Sequence, residues 1–161
     1  MSLITPALVA TLRSRFRLDW HGIHGAPHWS RVRRNGLLLA ERSPSGASTK
    51  VIELFAFLHD SCRHDDGYDP MHGERAADSI AELTEHLPVL AEEERRMLAY
   101  ACTHHSGGQT EAELTVQICW DADRLDLGRV GYVPDPDRLC TQAAKDAKLI
   151  AWAYKRSLQR P

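Results

Sequence analysis

Nine histidines are scattered through 161 residues, several of them next to aspartates at the ends of apolar segments. They are His21, His24, His28, His59, His64, His72, His86, His104 and His105. A single histidine is usually structural or superficial, but imidazole is also the commonest metal ligand. The pair His59-Asp60 closes the most apolar segment of the chain. An ionised carboxylate there is costly unless it is paired or bound to a metal. His28 opens the run His28-Trp29-Ser30-Arg31-Val32, and Asp123 stands in Asp121-Ala122-Asp123-Arg124-Leu125-Asp126. Alone, the His59-Asp60 pair is a weak signal, because a solvent-facing helix end explains it equally well. Neighbouring helix positions point about 100° apart, so both reach one ion only if it lies beyond the helix end. With His28 and Asp123, three segments can deliver imidazole or carboxylate to one point. Such mixed nitrogen and oxygen ligands suit Mn, Fe, Ni, Zn or Mg without choosing among them.

The elements that must position these residues read as helices nearly throughout. Pro6 to Leu18 carries Leu8, Leu12 and Phe16 at helical spacing, with Thr5 as N-cap and a proline at the first helical position. A glycine-containing loop leads to a helix from Pro27 to about Arg42, with Val32 and Leu39 on its inner side. Gly36 weakens that helix by roughly 1 kcal/mol relative to alanine, which suggests close helix packing at that point. A turn around Pro44 and Gly46 precedes the segment Lys50 to Cys62, which is apolar nearly all round and so belongs in the middle of the protein. Further helices are expected over Met71 to about Leu87, Ala91 to His105, Glu111 to about Gly128, and about 138 to 158. No segment offers a convincing period-two strand pattern. The expectation is an all-α, compact single-domain bundle of about six to seven helices over residues 1–161. Its motif-bearing core covers about 27–130, followed by the C-terminal helix.

The ordered pattern of His28, then His59-Asp60, then Asp123 resembles the HD-domain superfamily of metal-dependent phosphohydrolases. The stretches H-W-S-R-V, F-L-H-D and D-A-D-R-L-D carry the resemblance, which runs from His28 to about Val130. It implies an all-α fold and a primary metal held by His28, His59, Asp60 and Asp123. The implied reaction is hydrolysis of a phosphoester, of a nucleotide or related small phosphate, by a metal-activated water. His21 and His24 then remain loop residues, and Asp121 is a surface charge or supports the ligands from behind. His72, in His72-Gly73-Glu74-Arg75-Ala76-Ala77, resembles a helix start found in binuclear branches, and His104-His105 resembles their later histidine pair. These residues would hold a second ion with Asp60 as the bridge, or else line the pocket and touch phosphate. Periodicity places either His104 or His105 inward. Arg63 falls where some branches carry a phosphate-contacting cation and others an acidic residue. A guanidinium suits phosphate oxygens through its forked donors, so Asp60 and Arg63 are the candidate catalytic residues. Asp65, Asp66 and Asp69 follow in a polar loop and receive no role. The same ligand set would serve a di-iron oxygenase, or a binding module that keeps its metal without turnover.

Composition fits this reading. A chain of this length buries roughly 70% of the surface it exposes when unfolded and needs no disulfides. Hydrophobic residues make up 43%, charged residues 26%, and the formal charge is −2. That balance gives no reason to expect nucleic acid as a partner. Nor does any stretch approach the ~20 apolar residues of a membrane span. Arg31, Arg33 and Arg34 form one basic cluster, either a solvated face or a phosphate attractor. Cys62, Cys102, Cys119 and Cys140 are widely spaced and suit reduced, buried thiols. The Met1–Ala10 segment has no signal-peptide pattern, and a cytoplasmic location is expected. The partner expected is a small phosphorylated, nucleotide-like substrate.

Overall fold

The structure, a computed structural model, describes residues 2–159. Seven α-helices and two short 3₁₀ turns account for its regular structure, with no strand among the described residues. They are α1 (Pro6–Arg15), α2 (Ala26–Arg42), α3 (Thr49–Leu58), α4 (His72–Glu82), α5 (Glu92–His104), α6 (Leu114–Arg124) and α7 (Ala147–Ser157). The 3₁₀ turns are Leu127–Val130 and Pro136–Arg138. Among the described residues, no helix is long and apolar enough to cross a membrane.

Local chemistry sets the boundaries. Thr5 caps α1 by accepting from the Leu8 amide, and Ser48 caps α3 by accepting from the Val51 amide. The Glu94 carboxylate reaches back to the Ala91 amide at the start of α5. Several helices are shorter than their periodicity suggests. The α4 helix stops at Glu82 rather than near Leu87, and α6 begins only at Leu114. The largest difference is in the last helix, which starts at Ala147. Asp146, in extended backbone, caps it by accepting from the Leu149 amide, and upstream the Cys140 and Thr141 amides donate to the Asp121 carboxylate at 2.7 and 2.8 Å. The Thr141 hydroxyl donates to the same carboxylate. Asp121 is 0% exposed, so it is neither a surface charge nor a support for the ligands; it anchors the chain that follows α6.

The α3 helix runs through the middle, with α2, α5 and α6 packed around it and α4 against α5. Val51, Ile52, Leu54, Phe55, Ala56 and Leu58 are all buried, as the all-round apolar pattern requires. At Gly36 of α2, a Cβ would stand 2.5 Å from Ile52 Cγ2, so the missing side chain lets α2 and α3 touch. At Gly73 of α4, a Cβ would stand 3.0 Å from the Thr103 carbonyl oxygen and closer still to that of Cys102. The first turn of α4 therefore rests directly on the last turn of α5. Cys102 and Cys119 are fully buried, Cys62 and Cys140 partly, and all four are free thiols. Two members of the basic cluster are spent on ion pairs inside the fold. Arg31 binds Asp126 and Arg33 binds Glu53, while Arg34 is exposed.

Candidate metal centre

Five helices bring their ends to one point. His28 comes from the first turn of α2, and His59 and Asp60 follow the end of α3. His72 begins α4, His105 caps α5 and Asp123 lies in the last turn of α6. The four sequence-derived ligands lie together. His28 Nε2 is 3.1 Å from His59 Nε2, 3.4 Å from Asp60 Oδ2 and 3.3 Å from Asp123 Oδ1. His59 Nε2 is 3.5 Å from both of those oxygens. The other oxygen of Asp60, Oδ1, faces a second group, 3.2 Å from His72 Nε2 and 3.5 Å from His105 Nε2. Those two nitrogens are 2.9 Å apart. Asp60 thus stands between two sets of imidazoles and offers one oxygen to each.

Of the adjacent pair on α5, His105 is the one turned inward. It is buried in the cluster, whereas His104 lies against the Tyr100 ring, 4.5 Å between centroids.

Each of the four rings is oriented from behind. His59 Nδ1 is 3.0 Å from the Phe55 carbonyl oxygen and His105 Nδ1 is 2.7 Å from that of Cys102. His72 Nδ1 lies against the Asp69 carbonyl oxygen, and His28 Nδ1 is 2.7 Å from Asp126 Oδ2. A carbonyl only accepts, so Nδ1 of these rings carries the proton and Nε2 of the neutral ring presents a lone pair. This is the usual support of metal-bound histidine. Arg31 braces Asp126 with two donors, at 2.7 and 3.1 Å.

The donor set fits divalent cations. Asp123 Oδ1 is buried without a hydrogen-bond partner, which is costly for a carboxylate oxygen. Lone pairs of His72 and His105 face each other at 2.9 Å, an arrangement that needs a cation or proton between them. With metal–nitrogen bonds of about 2.1 Å, neighbouring ligand atoms stand about 3.0 Å apart at right angles and about 3.4 Å apart at tetrahedral angles. The observed separations of 2.9 to 3.5 Å cover that range. Three overlapping groups have the geometry of a chelating site: His28, His59 and Asp60; His59, His105 and Asp123; and Asp60, His72 and His105.

The electrostatics agree. Burial opposes ionisation of Asp60, but His59, His105, His28 and His72 outweigh it and hold the carboxyl well below its ordinary range. Asp123 is likewise buried and likewise held low, by His28, His59 and Arg129. Burial and Arg129 disfavour charge on His28. Its interactions with Asp123, Asp126 and Asp60 prevail and raise it to about 9 in the protein without metal.

A cavity of about 710 Å³ opens onto this centre, with Asp60, His105 and Asp123 on its floor. Two guanidiniums reach it. Arg63 donates from Nε to Asp60 Oδ1 at 3.1 Å and from Nη1 to the Asp65 and Gly67 carbonyls. Its Nη2 has no partner among the described residues. Arg129 donates to the Ile23 and Asp126 carbonyls, and its Nη2 lies 3.7 Å from Asp123 Oδ1. Sequence reasoning missed Arg129, which lies beyond the Asp123 motif in a 3₁₀ turn with no periodic signal. It also left His24 as a loop residue. His24 is in a loop, yet it is buried, lines the cavity and is held by Asp66 at 2.8 Å. Burial lowers its pKa to about 4 against the pull of Asp60 and Asp66. The other loop aspartates have structural partners: Asp65 accepts from the Gly67 amide, and Asp69 from the His64 amide and Arg75.

No family model, curated protein or solved structure matches this chain. The molecule is accordingly defined by its own geometry: an all-α bundle with buried His/His/Asp clusters able to chelate a divalent cation, of the kind an HD-type metal site would have.

Proposed function

We propose that this chain is a metal-dependent phosphohydrolase of the HD-domain type that cleaves a small phosphoester. Nucleotide-like compounds are the class the resemblance implies and the first to test. The observation that carries the reading is the Asp60 carboxylate, with its two oxygens facing separate imidazole groups beside a cavity that also receives Arg63 and Arg129. His28, His59, Asp60 and Asp123 would hold one divalent cation, and Asp60, His72 and His105 a second. Such cations act as Lewis acids and bring the pKa of bound water toward about 7.

The protein's own residues do the rest. Arg63 and Arg129 offer donors to the non-bridging phosphoryl oxygens and offset the charge that builds there as the ester bond breaks. Their positions are fixed in advance, because each is tied by backbone carbonyls. The carbonyl-bound rings keep their lone pairs aimed inward. His24, braced by Asp66, adds a neutral hydrogen-bonding ring to the cavity wall.

The test is a hydrolysis screen of the metal-loaded protein against nucleotides, cyclic nucleotides, pyrophosphate and simple monoesters, with metal content measured in parallel. Activity should vanish on chelation and in Asp60→Ala. Arg63→Ala should lower kcat by about 10²–10³, the cost of removing one aligned charged donor. Full metal occupancy with no hydrolysis of any of these classes would refute the reading.

A further inference from the structure

The cavity changes character along its length. Its buried lining is polar: Asp60 and His105, with Asp123, Arg63 and Arg129. Beyond them, one wall is the segment from Leu127 to Pro134, and it is apolar: Leu127, Val130, Tyr132, Val133 and Pro134. Tyr132 is 67% and Val133 63% exposed, two large side chains consecutive in sequence and mostly open to solvent. The wall is held in place, since the Tyr132 amide donates to the Leu127 carbonyl and Arg129, within the same segment, is anchored at both ends.

At the outer end the buried guanidinium is already engaged and the exposed one stands beside a carboxylate. Arg124 spends its guanidinium on the carbonyls of Arg138 and Gln109 and on the Trp120 ring. Arg138 faces Asp135 across 3.9 Å. A second phosphate placed along the wall would meet apolar side chains and the Asp135 carboxylate beside Arg138. The volume, about 710 Å³, is in the range that encloses a drug-sized molecule and far exceeds what a phosphate needs.

We infer that the segment Leu127–Pro134 is the specificity wall, and that it selects a monoester carrying one phosphate and an apolar, ring-bearing organic group that packs on Tyr132. The inference rests on the phosphohydrolase reading and narrows its substrate. The phosphate sits at the inner, cationic end. The ring lies along the wall, where an aromatic face gains from offset or edge contact with the Tyr132 ring.

Two measurements on the metal-loaded full chain separate this inference from the reading beneath it. The first is calorimetric binding of non-hydrolysable probes, 3-phenylpropylphosphonate against 3-hydroxypropylphosphonate. The ring-bearing probe should bind at least tenfold more tightly. Tyr132→Ala should reduce that preference about three- to tenfold, the worth of one aromatic contact, while leaving the hydroxyl probe unchanged. Tyr132 is exposed, so the variant should fold, and an unaltered melting temperature checks this. The second is kcat/KM for 3-phenylpropyl phosphate against its diphosphate analogue and glycerol phosphate, all esters of simple alcohols. The ring-bearing monophosphate should lead. Equal binding of the two phosphonates, a preference that survives Tyr132→Ala, or a better diphosphate substrate would each overturn the inference while hydrolysis itself stands. Selective binding of the ring-bearing probe without hydrolysis of any ester would instead keep the wall and refute the hydrolase.

Discussion

Replacing Gly73 with alanine tests whether helix contact sets the spacing of the second histidine group. Ordinary contact for the new Cβ begins at about 3.4 Å, yet it would lie 3.0 Å from the Thr103 carbonyl oxygen and nearer that of Cys102. The start of α4 must therefore withdraw from the end of α5 by at least 0.4 Å at Thr103, the difference of those two distances, and by more at Cys102. His72 and His105 ride on these helix ends, and the 2.9 Å between them opens by a similar amount. Metal–ligand distances tolerate about 0.2 Å, so a second ion should bind roughly 10–100-fold more weakly. Stability is the poorer readout, because two effects oppose each other. Overpacking costs about 1–3 kcal/mol, whereas alanine gains about 1 kcal/mol in helix propensity. At about 2–4 °C per kcal/mol, the melting temperature should fall by no more than about 8 °C. Calorimetric titration with Mn(II) resolves the two equivalents. The first should keep its wild-type affinity and the second should weaken. Two equivalents with wild-type affinities in Gly73→Ala would refute the idea that this contact positions the second group.

Three further predictions follow from the same geometry. His72→Ala should bind close to one equivalent of metal where the wild type binds close to two; a wild type that saturates at one under excess Mn or Fe would remove the second group as a metal site. His28→Ala, Asp60→Ala and Asp123→Ala should each lose metal by elemental analysis, and full retention in all three would mean the primary ligands are misassigned. The pH dependence should have opposite signs in the two forms. Without metal, the raised pKa of His28 contributes stability that is complete below about 6.5 and lost as pH rises through about 9, so His28→Gln should flatten that decline in melting temperature. With metal, that proton must leave, so affinity should rise about tenfold per pH unit from 7 toward 9, and a flat profile would contradict the assignment.

What the sequence made legible was the part written in short-range pattern. The apolar run before His59 required a buried central helix, and α3 is that helix. The sequence also put His28 and Asp60 near helix ends, where side chains from different elements can meet; Asp123, expected inside a helix, comes to such an end because α6 stops at Arg124. The choice between His104 and His105 was not legible, because both satisfy an inward period at the last turn and only the packing of α4 on α5 separates them. Arg129 and His24 lie in a 3₁₀ turn and a loop, where no period exists, and their proximity to the cavity is a tertiary fact. The late start of α7 was hidden for a similar reason. Residues 139–146 have acceptable helical composition, but Asp146 takes an extended conformation that caps α7, and Cys140 and Thr141 are tied to Asp121 on α6.

That tie bears on how the protein can be divided. Asp121 is two positions from the ligand Asp123 on α6, and its carboxylate is satisfied by groups that all come from Cys140 and Thr141. Gly128, next to Arg129, likewise accommodates Ser157 and Tyr154 of α7 where any larger residue would collide. A chain cut after Val130 would keep every proposed ligand and both cavity arginines, yet it would strip the Asp121 carboxylate of its donors two positions from Asp123. Such a fragment should neither fold cooperatively nor retain metal. Supplying residues 131–161 as a separate peptide should restore both, making the tail a subunit-like complement of the motif-bearing part and not a removable appendage.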